Sequence, residues 1–354
     1  MSAIFDAIVI GGGQAGLASG YYLKKNELQF LILEASEQAT GSWPHYYDSL
    51  KLFSPARLSS LPGMKIPGAA THYPLRNEVI QYLKAYAQRF DLPIRTNQKV
   101  IAVEKSDNGF SIRTAAGDEY QTRTIINATG SFHNPYMPDI SGREAFQGEV
   151  LHSSSYRNPD RYRGQRVVVV GRGNSAVQIA VELADSSHTS LAVLRPVQFT
   201  KTKVLGIDLH IWIRAVGFDT FPFWRFGKKP PSSSSVADLN DYRARLKAGK
   251  PDQRSMFTSF YSEGVVWPDG TEEPVQTVIF ATGYRPNLTY LQPIGALDAE
   301  GKPLQTAGIS LSVPGLYYVG LEGQRSFASA TLRGVGPDAK YVVRKLLRYL
   351  KNHL

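Results

Sequence analysis

The chain contains no cysteine in 354 residues. Without a thiol it can run no disulfide exchange and offer no thiolate to a metal or substrate, and a cysteine-free chain fits a reducing compartment. Long apolar runs are also missing. FLIL, VVVV and TVIFA are strand-length, well short of the ~20 residues that cross a bilayer. The N-terminus opens into an apolar strand with no charged-then-apolar leader, so the expected location is the cytoplasm. The seven histidines are scattered, with no H-E-x-x-H pair, and no metal is expected. A formal charge of +10 comes without a helix-turn-helix, zinc or aromatic-basic signature. It is read as a solvated surface and phosphate-rich cofactors, not a nucleic-acid partner. The basic, amphipathic tail KYVVRKLLRYLKNHL reads as a terminal packing helix.

Glycine, by contrast, is abundant and placed in a pattern. An apolar run over residues 5–10 leads into Gly11, Gly13 and Gly16, then a helical stretch over about 14–25, then the strand QFLILE. This is the G-x-G-x-x-G unit of a dinucleotide site. Gly11 makes the tight turn, Gly13 lets the backbone approach a pyrophosphate, and Gly16 lets helix and strand pack closely. Gln14 and Ala15 begin the helix, whose free N–H groups and positive dipole end face the phosphates. Glu34 closes the second strand, 23 positions after Gly11, where a carboxylate holds ribose hydroxyls. Such an acid suits FAD or NAD.

The device then appears a second time. The strand over 166–170 leads into Gly171, Gly173, Asn174, Ser175 and Ala176, then a helix, then the strand SLAVL. The residue beyond that strand is Arg195 where the first unit has an acid. Arginine pairs bidentately with a 2′-phosphate, which a carboxylate repels. The second site is therefore expected to take NADPH, with NADH left open. Two redox nucleotides in one chain imply hydride transfer between them.

The fold class expected is α/β, a flavoprotein of two dinucleotide-binding domains, with a Rossmann-like NADPH domain inserted into a Rossmann-like FAD domain. The boundaries expected are 1–157 for the first part of the FAD domain, 158–275 for the nicotinamide domain and 276–354 for the return. Residues 109–127 read as hairpin strands with a Gly-Asp turn. TVIFATGYRP reads as the returning flavin sheet, and GLEGQRSFASATLRGVG, with Leu321 and Gln324, as a turn and helix start offering N–H groups to the flavin ring. Residues 201–263 form an aromatic-rich insertion. It ranks as core or dimer contact ahead of substrate contact, with PPSSSS (230–235) as a flexible break.

The stretch FQGEVLHSSSY, with Phe146, Gly148, His152 and Tyr156, fits the pattern F-x-G-x-x-x-H-x-x-x-[YF] just before the second glycine loop. On it the chain resembles the class B flavin monooxygenases, specifically the flavin-containing monooxygenase family. Ser42-Trp43, Ala128-Thr129-Gly130 and Ala281-Thr282-Gly283-Tyr284 extend the resemblance over nearly the whole chain. It implies that Ser42, Trp43, Val100, Ala128, Thr129 and Gly130 join the FAD site and that Ala281 to Tyr284 join the NADPH site. It also implies a cycle in which NADPH reduces FAD, O2 forms a flavin C4a-hydroperoxide, and one oxygen atom passes to a soft nucleophile such as a sulfide or amine, or to a ketone. No protein nucleophile is needed. His152 is expected to be structural or hinge-related rather than a base. Family members place an asparagine near the reactive flavin edge. The segment LKLFSPARLSSLPG has none, and Phe53 takes its place. The alternative is accordingly a reductase that passes electrons to a quinone, metal ion or carrier protein. A homodimer is expected from base rates.

Overall fold

The computed structural model describes residues 4–231 and 235–353; the serine run at 232–234, part of the expected flexible break, lies outside the described residues. Two parallel sheets organise the chain, and each is built around one of the glycine units.

The first sheet has seven strands. In spatial order they are Gln305–Thr306, Ile309–Ser310, Leu316–Tyr318, Ile125–Asn127, Ala7–Ile10, Phe30–Leu33 and Ile94–Arg95, with the last five mutually parallel and the first two added by antiparallel pairing. Ala7–Ile10 and Phe30–Leu33 are buried at every position, as strands covered on both faces must be. Helix Gln14–Lys25 and the C-terminal helix Leu332–Asn352 cover one face, burying Leu17, Leu23, Val335, Val342 and Leu346 together. The tail is thus a packing helix. A four-stranded sheet of Ile4–Phe5, Glu119–Thr122, Gly109–Thr114 and Val100–Ser106 covers the other face. Two details differ from the expected strands. The first breaks at Asp6, whose carboxylate accepts hydrogen bonds from Gln29 N–H (2.9 Å) and Arg123 Nη1 (3.0 Å). Ile125–Asn127 leaves its hairpin to join the main sheet.

The second sheet runs Asp252–Ser255, His188–Val193, Arg166–Val170, Thr277–Phe280, Glu149–His152, all parallel. Its membership shifts the boundaries expected from sequence. Thr277–Phe280 is a central strand here, not the start of the flavin domain's return, and Glu149–His152 is an edge strand here although it precedes residue 158. The apolar run TVIF is equally fit for either sheet, so its composition could not say which one takes it.

The two units are built alike. In each, the strand beside the glycine-loop strand ends in Ala-Thr-Gly. A Cβ on Gly11 (φ +105°) would lie 2.8 Å from the Ala128 carbonyl oxygen, and one on Gly171 (φ +136°) would lie 2.4 Å from that of Ala281. Both positions combine a left-handed backbone with a close approach, so only glycine fits.

The aromatic insertion is shorter than 201–263. Residues from Val236 onward belong to the second domain: Tyr242–Lys247 packs on helix Asn174–Leu183, and Asp252–Ser255 extends its sheet. Its aromatics are not core: Trp212, Phe218, Phe221 and Phe226 are all exposed. What anchors the segment is Asp219, buried against Arg333 of the C-terminal helix (3.2 Å), with the Phe218 ring tilted against Phe327 at 5.4 Å.

Candidate active site

One cavity of about 1040 Å³ runs from the first glycine loop to the second, at the upper end of the ~300–1,000 Å³ usual for small-molecule sites. Three helices begin on it. Gln14–Lys25 starts after Gly13, Asn174–Leu183 after Gly173, and Leu332–Asn352 after Thr331. None of the three has a side-chain cap, and none has an acid in its first turn. Their first N–H groups are left without partners in the helix, and their dipoles add positive potential at the same ends. Such an end binds anions. Two follow glycine loops and suit pyrophosphates; the third meets the cavity between them.

Most of the residues singled out in the sequence converge here. Gly11, Gly13, Gln14, Ala15, Glu34, Ser42, Trp43, Val100, Ala128, Thr129 and Gly130 line the end beside the first loop, and Phe53 lines the same cavity. Gly173, Asn174, Ser175, Ala281, Gly283 and Tyr284 line the part beside the second. Glu34 accepts hydrogen bonds from Gly12 N–H (2.6 Å) and from Ser36 N–H (2.9 Å) and Oγ (2.7 Å). The carboxylate therefore clamps the loop and still borders the cavity. Trp43 Nε1 donates to Gln14 Oε1 (3.3 Å), and Gln14 Nε2 donates to the Ala330 carbonyl (2.7 Å), tying the first loop to the third helix start. Tyr290, held by Asn127 Nδ2 (2.8 Å), has its phenol pushed up to about 12 by burial, partly offset by hydrogen bonds from Thr129 and Asn127. It stays a neutral hydrogen-bonding group.

The remaining residues stand behind the cavity or away from it. Gly16 lies under Gly11, Gly171 lies against Ala281, and the Thr282 hydroxyl donates to the Tyr136 carbonyl. Leu321 is in the core of the first domain. Gln324 braces its own turn, donating to the Tyr318 carbonyl (2.6 Å) and accepting from Leu321 N–H (3.2 Å). Neither touches the cavity. Arg195 is exposed and outside the lining, whereas Lys201 is within it.

The fingerprint residues also support rather than line the site. Phe146 packs in the second domain's core with its ring against Gly148, and the buried Tyr156 donates to Glu182 Oε2 (2.8 Å). His152 Nδ1 accepts from Ser154 N–H (3.1 Å), so the proton sits on Nε2, which donates to the Gly283 carbonyl (3.0 Å). Its ring stands edge-on to Tyr284. His152 fixes the segment that borders the cavity and does not reach it.

Burial holds the His152 ring below the usual imidazole range, against the opposing hydrogen bond to Gly283; burial does the same to His133, which lines the cavity. Each folded value is depressed. The unfolded chain therefore binds more protons below pH ~6.5, and the stability these groups contribute is present above that pH and lost as pH falls through the folded values. A thermal-denaturation series from pH 8 to 5 is expected to show Tm falling below pH ~6.5. His152→Gln should make that fall shallower; an unchanged slope would remove His152 from it.

The insertion 201–263, ranked from sequence as core or dimer contact ahead of substrate contact, also reaches the cavity. Leu209, His210 and Ile213 line the cavity with Phe53, Phe327 and Arg333. Asp208 caps the helix Leu209–Ala215 through His210 N–H (2.8 Å), accepts from the His210 ring at Nδ1 (3.1 Å), and takes the Tyr73 hydroxyl. Burial raises the Asp208 carboxyl, but these hydrogen bonds outweigh it and hold it below the usual range. Sequence reasoning missed this cluster. A capping Asp two residues before a histidine was the only trace of it.

Comparison with known proteins agrees with this geometry. Residues 8–216 match the family model described as pyridine nucleotide-disulphide oxidoreductase. A flavin-containing monooxygenase from Stenotrophomonas maltophilia superposes with a TM-score of 0.86 at 31% identity, over 99% of this chain and 100% of that one. The chain belongs to the flavin-containing monooxygenases. An uncharacterized CzcO-like oxidoreductase of Geobacillus kaustophilus is 35% identical over 99% of this chain and 100% of its own length. The indole-3-pyruvate monooxygenase YUCCA4 of Oryza sativa is 29% identical over 97% and 88%. The protein is thus a flavin-dependent, NAD(P)H-linked oxidoreductase acting with O2 on a small molecule. The disulphide chemistry in the family's description is closed to a chain without cysteine. Among the described residues no helix is long and apolar enough to cross a membrane, and no cluster of three or more His, Cys, Asp or Glu could hold a metal.

Proposed function

We propose that the enzyme holds FAD at the first loop and NADPH at the second and oxygenates a soft heteroatom, such as a sulfide or amine nitrogen. The observation that carries this reading is the single cavity on which three uncapped helix starts converge. FAD, when bound there, accepts a hydride from the nicotinamide and hands its electrons to O2. The chain's own part is to bind, orient and exclude water. The first two helix starts hold pyrophosphates, and Glu34 meets a ribose. Thr331 to Arg333 offer N–H groups to an electron-rich ring edge. Apolar residues around Phe53 keep water from the reacting atoms. The exposed Arg195 and the cavity-lining Lys201 are the cations available for a 2′-phosphate.

The test uses the purified holoenzyme. Anaerobic NADPH is expected to bleach a yellow preparation, faster than NADH does. Air admitted with a thioether is expected to give close to one sulfoxide per NADPH. Phe53 at the position of the family's asparagine favours the second reading, a reductase. Under it, the same experiment yields peroxide and no sulfoxide.

A further inference from the structure

Three features are not used by hydride transfer: the exposed aromatics of residues 212–226, the buried Arg325–Asp338 pair, and the Tyr73–Asp208–His210 chain. Only the last faces the cavity. Asp208 is an ionised carboxylate and can only accept, so the proton of the His210 ring lies on Nδ1, toward it. In the neutral ring Nε2 then carries a lone pair. It has no protein partner among the described residues, and the ring borders the cavity with Leu209, Ile213, Phe327 and Phe53, the last with its centroid 5.9 Å away. An acceptor among apolar groups is satisfied by a donor on the ligand. Tyr73 fixes the carboxylate from the far side, through the segment that also carries Phe53. Arg333, also in the lining, is paired with Asp219, and Lys201 borders the same cavity.

We propose that His210 is the group that takes the proton from a protonated alkylamine substrate, with Asp208 and Tyr73 as positioning residues. The proposal rests on the monooxygenase reading above. An alkylammonium has no free electron pair with which to attack oxygen; a thioether has one already. In the step proposed, an N–H bond breaks, the proton passes to Nε2 and its electron pair stays on nitrogen. An N–O bond then forms and nitrogen loses two electrons. Overall, R2NH2+, NADPH and O2 give R2NOH, NADP+ and H2O. The hydride hydrogen and the proton passed through His210 account for the water, and NADPH supplies the two further electrons that reduce O2.

The test compares a secondary alkylamine, an arylamine that is unprotonated at neutral pH, and a thioether, all of similar shape. The enzymes are wild type, His210→Gln and Asp208→Asn, as FAD-loaded proteins. The kcat/KM ratio of alkylamine to thioether is expected to fall about 100-fold in His210→Gln, the usual worth of a general base, and less in Asp208→Asn. The arylamine should follow the thioether. Raising the pH until the alkylamine is free base should restore the ratio. Anaerobic equilibrium dialysis should show weaker alkylammonium binding in Asp208→Asn than in wild type. A ratio within twofold of wild type in both variants, or alkylammonium binding unchanged in Asp208→Asn, overturns the proposal alone. A wild type that turns NADPH into peroxide with all three compounds overturns the monooxygenase reading and the proposal with it.

Discussion

Replacing Gly16 with alanine is expected to give a protein that cannot retain flavin and is destabilised or insoluble. Gly16 is buried in the first turn of helix Gln14–Lys25. A Cβ there would lie 1.9 Å from the Gly11 carbonyl oxygen and 3.0 Å from its carbon. Both are backbone atoms, and Gly11 is itself pinned between the Leu33 and Ala128 carbonyls. Relief requires the helix start to move off the sheet by more than 1 Å, against close packing that tolerates little change. The N–H groups that would hold a pyrophosphate move with it. Gly173→Ala is the matched control: an added Cβ there meets nothing within 4 Å, so its Tm should stay close to wild type. Absorbance of the purified proteins in the flavin band, with thermal denaturation, measures both. Full flavin content in Gly16→Ala would show that this turn does not set the phosphate site.

The same comparison shows how far the sequence could be read. The first loop ends in Gly16 and the second in Ala176, whose methyl is fully buried. Strand runs such as AIVI, FLIL and VVVV were legible because a strand buried on both faces must be apolar throughout. The loops were legible because turn, phosphate approach and helix packing each demand a glycine at fixed spacing. Sheet membership was not. Thr277–Phe280 and Ile125–Asn127 are both short apolar strands ending in Ala-Thr-Gly, and only their pairing separates them. Nor was the far end of the cavity legible. Phe53, His210 and Arg333 share no periodicity, and they meet because the 201–227 segment folds back across the C-terminal helix. The exposed aromatics of that segment hid the two polar residues, Asp208 and Asp219, that fix its position.

Asp219 should therefore be costly to lose. It is buried, and its carboxylate meets Arg333 Nε with both oxygens at 3.2 Å. Among the described residues Arg333 Nη1 has no hydrogen-bond partner, so the guanidinium depends on this one carboxylate and on the faces of Phe53 and Phe327, each 5.8 Å away. Asp219→Ala strands a buried cation, which costs about 3–5 kcal/mol. Arg333→Met strands the anion and should cost a similar amount. The double variant Asp219→Leu with Arg333→Met removes both charges and should lose much less than the sum, because replacing a buried pair by apolar groups is close to neutral. Denaturant titration of the three proteins gives the cycle. The same variants report on the cavity, since Asp219 also accepts Ala328 N–H at its backbone carbonyl (3.2 Å), just ahead of the third helix start. Asp219→Ala keeps that carbonyl but loosens the segment bearing it, so flavin should dissociate faster from this variant than from wild type. A destabilised Asp219→Ala with an unchanged flavin off-rate would confine the pair to the fold and detach it from the site.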